Sequence, residues 1–266
     1  MFPVINILGR PLPVGAIALL FAFYLGAELA ERALGNVAPD AQRVAWRKAF
    51  GQAMFIGLVA GLIGARLGYG ARYYQLYVES PGLLLSLRPG TLAIVPGLLL
   101  GGASALFYLS SKQIPLAKIA DAVAIGVTGA LLILAVGDFF TGNAYGTPTD
   151  VPWGVELWNA TRHPVQLYDA AVLLIVLGVL WYLHKRVMHG ELFWRFLMLY
   201  SLSQLFLEMF HASAAVWGPG IRISQIVSLL TLLVSLFVLS FFAQQREQMN
   251  NQPGDRDLRY ASESTL

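Results

Sequence analysis

The chain contains no cysteine among its 266 residues. That absence excludes a disulfide framework, a thiolate metal site and a cysteine nucleophile, so any thiol chemistry must use a thiol brought by a substrate. Charge is scarce as well, with Asp, Glu, Lys and Arg together making up 12% of the sequence. The four histidines are scattered and no carboxylate cluster accompanies them, so neither a metal site nor a cofactor is expected. A net charge of +3 is no nucleic-acid footprint, because Lys and Arg are spread over short loops rather than gathered in a patch.

What the chain has in excess is apolar surface. Hydrophobic residues make up 57% and the mean hydropathy is +0.62, more than a soluble fold of this size buries, so the surplus must face lipid. Apolar runs of about 20 residues, enough to cross a ~30 Å hydrocarbon core, recur at Pro13–Leu29, Ala49–Gly68, Thr91–Leu109, Ile119–Phe140, Val165–Leu183, Leu192–Phe210 and Ile223–Phe242. The expected fold is an all-α, polytopic membrane protein of about seven transmembrane helices. Residues 1–243 read as one membrane domain, and 244–266, rich in Gln, Asn, Asp, Arg and Ser, as a disordered polar tail. The first run follows the single basic residue Arg10 and is read as a retained helix rather than a cleaved signal.

Basic loops stay in the cytoplasm. Arg32, Arg43, Arg47 and Lys48, then Lys112 with Lys118, then Lys185 with Arg186 mark cytoplasmic connections. The alternate loops at 141–164 and 211–222 carry only Arg162 and Arg222, whereas the 69–90 loop, with Arg72 and Arg88, is less clean. The balance places the N-terminus outside and the C-terminus inside. Gly57, Gly61, Gly64 and Gly68 share one face of the second run, where small residues let another helix approach closely.

Ionisable groups at membrane depth are costly and are paired, snorkelling or functional. Arg66 sits near the outer end of the second run, and Asp121 opens the fourth, where an acid suits the helix dipole. Asp138 lies in GDFFTGNAYGTPTDVPWG, where an apolar helix gives way to an outer loop whose Gly142, Gly146 and Pro148 favour tight turns. Tyr145 and Trp153 suit the headgroup belt. The segment RHPVQLYDA opens the fifth run, with Arg162 and His163 placed to bind phosphate or manage a proton, followed by Gln166, Tyr168 and Asp169. Gln204, Glu208 and His211 recur on one face of the sixth run, with Arg66, Arg162 and His211 as partners for Glu208. His184 and His189 lie in a basic loop and are given no function.

The strings GNAYGTPTDVPWG and RHPVQLYDA, with GARLGY before them and ISQIVSL after them, resemble the signature regions of the bacterial prolipoprotein diacylglyceryl transferases from about Gly57 to Leu230. The resemblance implies a multi-pass enzyme of the bacterial cytoplasmic membrane with its site on the extracytoplasmic side. It implies transfer of diacylglyceryl from phosphatidylglycerol, or a similar anionic phospholipid, to the lipobox cysteine thiol in a prolipoprotein signal peptide. On this reading His163 and Asp138 are catalytic; Arg66, Arg162, Asn143, Tyr145, Gln166 and Tyr168 hold phosphate and lipid; and Glu208 and His211 support them. The chain departs from the family where G-R-x-G-N-F-x-N-G-E aligns with LAVGDFFTGN, so that Ala135 replaces an arginine, Asp138 and Thr141 replace asparagines and Asn143 replaces a glutamate. Val95, Pro96 and Gly97 stand where the family has H-G-G, and Gln204 stands where it has an arginine. Alternatives are an inactive family member that binds lipid or organises membrane partners, and a small-solute or lipid transporter.

Overall fold

A computed structural model describes residues 4–7, 10–79, 82, 91–212, 216–217 and 221–251. These residues form eight α-helices and three short hairpins. The helices are α1 (Val14–Asn36), α2 (Arg43–Arg72), α3 (Tyr74–Glu79), α4 (Ile94–Ser111), α5 (Leu116–Thr141), α6 (Val165–Leu183), α7 (Glu191–Leu207) and α8 (Ile223–Asn250). The hairpins pair β1 (Val4–Ile7) with β2 (Arg10–Pro13), β3 (Val155–Leu157) with β4 (Ala160–Arg162), and β5 (Val216–Trp217) with β6 (Ile221–Arg222), all antiparallel.

Among the described residues six helical segments are long and apolar enough to cross a membrane: α1, α4, α5, α6, α8, and α2 with the 3-10 turn that leads into it. Only 6% of the apolar window of α8 is buried within the protein, as a lipid-facing span requires. The seventh run, expected over Leu192–Phe210, is a 17-residue α-helix that tightens into a 3-10 turn at Glu208–Phe210. The chain is an all-α polytopic membrane protein.

Several helices outrun their apolar runs. α2 begins at Arg43 and α8 continues through Gln244–Asn250, because Gln, Arg, Lys, Glu and Met are strong helix formers that propagate a turn beyond the apolar stretch. Residues 252–266 of the expected tail lie outside the described residues, as do Arg88 and parts of the 211–222 loop. Some of the basic residues read as loop markers sit instead on helix ends, Arg43, Arg47 and Lys48 in the first turns of α2 and Lys118 in the first turn of α5, whereas Lys112, Lys185 and Arg186 lie in the connections between helices.

The chain divides into two compact units, Met1–Ala30 with Ala120–Leu266, and Glu31–Ile119. In the second unit α2 packs on α4 through the expected glycine face. A Cβ at Gly57 or Gly61 would lie 3.1 or 3.2 Å from the carbonyl oxygens of Gly101 and Gly97, and one at Gly101 only 2.5 Å from that of Gly57. Backbone meets backbone here, as small residues allow. Near the start of α2, Arg47 pairs with Glu31 at 3.1 Å, and the Lys118 ammonium lies 5.1 Å from the Trp46 ring centroid.

In the first unit α1 meets α5 by the same device, since a Cβ at Gly126 would lie 2.5 Å from the Gly26 carbonyl oxygen. α7 packs against both α6 and α8. Asp121 does not open its own helix, since α5 starts at Leu116 and has no acid in its first turn; its carboxylate instead accepts the backbone N–H groups of Gly190 at 2.6 Å and Phe193 at 2.9 Å, capping the start of α7. Beside it the buried Glu191 carboxylate takes Arg195 and Arg246, each at 2.6 Å, which ties the end of α8 to α7.

Candidate functional site

α5 ends in a turn built on Asp138. Its carbonyl accepts the N–H groups of Gly142 and Asn143 at 2.9 and 3.1 Å, and the Asn143 side chain hydrogen-bonds its carboxyl group. Gly142 takes φ 75°, a left-handed conformation that glycine adopts without cost, and Ala144 follows in the same region at φ 48°. The buried Gln166 of α6 then donates to the Asn143 carbonyl at 2.7 Å. Asn143 and Gln166, paired in sequence only as lipid contacts, thus lock the end of α5 to the start of α6.

The following residues form a ledge of strand-like backbone. Thr149 N–H donates to the Thr161 carbonyl at 2.9 Å, and His163 N–H donates to the Thr147 carbonyl at 3.1 Å. On the other side Thr147 N–H donates to the Phe210 carbonyl at 2.7 Å, and Ala212 N–H donates to the Tyr145 carbonyl at 3.0 Å. The segment 145–149 is therefore held between the entry to α6 and the exit from α7. Gly146 is essential to this packing, since a Cβ there would stand 2.2 Å from the His163 carbonyl oxygen.

Arg162 is the last residue of β4, and its guanidinium donates to the carbonyls of Leu157 and Gly146, both at 3.1 Å, while lying 4.9 Å from the Tyr145 ring centroid. Carbonyl and ring partners hold the group without neutralising its charge. His163 follows, its Nδ1 3.3 Å from the Tyr168 hydroxyl and its ring 5.0 Å from that of Phe210. The Trp153 indole N–H donates to the same Tyr168 oxygen at 2.7 Å. Trp158 occupies the hairpin turn with φ 53° and directs its N–H to the Gly142 carbonyl at 3.4 Å. A bulky residue in the left-handed region is uncommon.

The sixth run brings two further clusters. The Glu208 carboxylate is buried and accepts the Ser224 hydroxyl at 2.5 Å, and its backbone carbonyl accepts from Arg222. Neither Ser224 nor Arg222 was among the expected site residues. His211 does not serve Glu208 through its ring: Nε2 lies 3.1 Å from the Asp169 carboxylate and Nδ1 3.1 Å from the Leu207 carbonyl. Gln204 completes the group, donating to the other Asp169 oxygen at 3.4 Å. The Asp169 hydrogen bond holds the His211 pKa above its ordinary value, against burial, which works to lower it.

Arg66 belongs to the second unit, where it is buried, donates to the Thr91 carbonyl at 2.9 Å and to the Thr91 hydroxyl, and stands 5.4 Å from the Tyr77 ring centroid. Ala135 is buried within α5, and Val95 is 67% exposed on α4. Among the described residues no group of three or more His, Asp or Glu side chains is placed to hold a metal ion.

The family model for prolipoprotein diacylglyceryl transferase matches residues 4–241. A phosphatidylglycerol–prolipoprotein diacylglyceryl transferase of Corynebacterium efficiens is 30% identical over 220 residues, covering 73% of this chain and 68% of that protein. Its counterpart in Clostridioides difficile is 28% identical over 193 residues, covering 72% and 77%, and that of Acaryochloris marina is 30% identical over 200 residues, covering 70% and 73%. With a match that runs from the first hairpin to the last helix, the chain belongs to the prolipoprotein diacylglyceryl transferase family.

Proposed function

We propose that the chain moves the diacylglyceryl group of phosphatidylglycerol onto the lipobox cysteine thiol of a prolipoprotein. The reaction would take place at the extracytoplasmic face of the bacterial cytoplasmic membrane, with the N-terminus outside and the C-terminus inside. The observation that carries this reading is the family match across residues 4–241. The names of the relatives supply the donor and the acceptor class. The absence of cysteine fits, because the acceptor thiol is the substrate's own.

In this transfer the thiol sulfur bonds to the glyceryl carbon that carries the phosphate, the bond from that carbon to the phosphate oxygen breaks, and glycerol phosphate leaves. The thiol proton needs an acceptor, and the leaving phosphate needs donors or positive charge. Trp153 donates to the Tyr168 oxygen, so the Tyr168 hydroxyl turns its own proton toward His163 Nδ1. With Nδ1 accepting in this way, a proton on His163 Nε2 is free to donate to a phosphate oxygen. Asp138, on the last turn of α5, takes the thiol proton. Arg162 supplies positive field from a fixed position, and its grip on the Gly146 carbonyl keeps His163 in place. Arg66 is the second unit's contact for an anionic headgroup.

A second reading is favoured by Ala135, Val95 and Gln204, which stand where the family carries arginine, histidine and arginine: the chain binds the lipid and partners without transferring the group. Purified protein in phosphatidylglycerol proteoliposomes, given a lipobox peptide, separates the two. Transfer predicts a peptide that gains the mass of one diacylglyceryl group, and loss of that product in His163→Ala. Retention of phosphatidylglycerol with no change in peptide mass supports the binding reading, and normal transfer by His163→Ala removes the role assigned to that histidine.

A further inference from the structure

We propose that Asp169 and His211 form a positioning pair that sets the register of the ledge carrying His163. The activity consequences rest on the transferase reading, whereas the structural consequences do not.

Both ring nitrogens of His211 are engaged. Nδ1 faces the Leu207 carbonyl and Nε2 faces Asp169 Oδ2, each at 3.1 Å. A carbonyl oxygen only accepts, so Nδ1 carries a proton, and a carboxylate opposite Nε2 favours a proton there too, giving an imidazolium against a carboxylate. With both nitrogens engaged, His211 has no lone pair to offer a substrate and is not a base for the thiol. Its role is mechanical.

The backbone shows what the pair holds. His211 follows Phe210 and precedes Ala212, the residues bonded to Thr147 N–H and to the Tyr145 carbonyl, and His211 itself bridges to Gly146. The Thr147 carbonyl in turn accepts the N–H of His163. A continuous path therefore runs from the Asp169 carboxylate through His211 and residues 145–147 to His163. Asp169 and His163 belong to the same end of the chain entering α6, so the pair closes this path on itself. Closure fixes α6, the ledge and the exit of α7 as one body.

Other groups face the pair from each neighbouring element. Gln204 of α7 donates to Asp169, Glu208 of the turn adds negative charge near His211, Tyr200 of α7 senses both carboxylates, and Arg222 of β6 donates to the His211 carbonyl at 3.0 Å. Their balance leaves the pKa of His211 raised. A raised histidine pKa means that the imidazolium contributes fully at pH below the ordinary value, and that its contribution is lost as pH rises through the folded value.

Hydrogen–deuterium exchange on the full chain in nanodiscs, together with transfer kinetics, tests the pair. Asp169→Asn and His211→Gln are expected to lower protection at the amides of Thr147, His163 and Ala212 by about tenfold or more, while amides in the middle of α8 keep theirs. His211→Arg, which keeps the charge, is expected to restore protection. In the wild type, protection at these three amides, corrected for intrinsic exchange, falls as pH rises past the His211 pKa, and His211→Arg removes that fall. In the transfer assay Asp169→Asn lowers kcat with KM little changed. Unchanged protection in both neutral variants overturns the proposal even if transfer proceeds. If the wild type transfers nothing but the exchange pattern appears, the pair stands and the transferase reading falls. Should either neutral variant fail to fold, the pH dependence of the wild type against His211→Arg decides alone, and a flat wild-type profile overturns the pair.

Discussion

Gly146→Ala tests how tightly the ledge positions His163. The added Cβ would lie 2.2 Å from the His163 carbonyl oxygen, 2.9 Å from its Cβ and 3.0 Å from its carbonyl carbon, whereas a carbon and a carbonyl oxygen normally stand no closer than about 3.3 Å. Relief requires about 1 Å of movement, and the obstructing atoms include backbone, so no side-chain rotation can supply it. The movement would pull the Gly146 carbonyl away from Arg162 and strain the bond from His163 N–H to Thr147. Overpacking of this kind costs about 1–3 kcal/mol of stability, and a misplacement of about 1 Å at a reacting group costs on the order of a hundredfold in rate. The assay is transfer to a lipobox peptide in proteoliposomes, with thermal unfolding followed in parallel. Gly178→Ala in α6 is the control, because a Cβ there meets nothing within 4 Å and alanine is the better helix residue by about 0.5–1 kcal/mol. Wild-type kcat and wild-type stability in Gly146→Ala would refute the claim that this glycine sets the site.

Gln166→Leu removes the donor to the Asn143 carbonyl from a side chain only 2% exposed; a loss of about 1–3 kcal/mol is expected, read as a lowered unfolding temperature in detergent. Gly101→Val in the second unit places a branched side chain where a Cβ already meets the Gly57 carbonyl oxygen at 2.5 Å. It is expected to push α4 off α2 and to expose their contact to limited proteolysis, and an unchanged digestion pattern would contradict the close approach described for these helices.

Much of this architecture is legible in the sequence because it follows from local rules. Apolar run length marks the membrane helices, and the glycine spacing on α2 marks the face that meets α4. Pro164 marks the entry to α6, which begins at Val165 as expected. The ends of α2 and α8 were less legible, since polar helix formers carry a helix past its apolar stretch with no change of periodicity. Long-range pairing was the hardest to read. His211 and Glu208 share a helical spacing that suggests a mutual pair, yet the ring of His211 turns to Asp169 on α6 and the carboxylate of Glu208 turns to Ser224 on α8. Partner choice of this kind is set by how helices pack, which spacing along one helix does not encode. Arg162 illustrates the same limit: its sequence context suggests a phosphate ligand, and only the fold reveals that two backbone carbonyls occupy its guanidinium.

The departures at Ala135, Val95 and Gln204 bear most directly on whether the chain performs the family's chemistry. The decisive measurement is complementation of a bacterium depleted of its own diacylglyceryl transferase, with this protein's expression and membrane insertion verified and a reporter prolipoprotein followed by gel shift and mass. The reporter is expected to gain a diacylglyceryl group, and growth is expected to be restored by the wild type and not by His163→Ala. A correctly inserted wild-type protein that leaves the reporter unmodified would contradict the transferase reading.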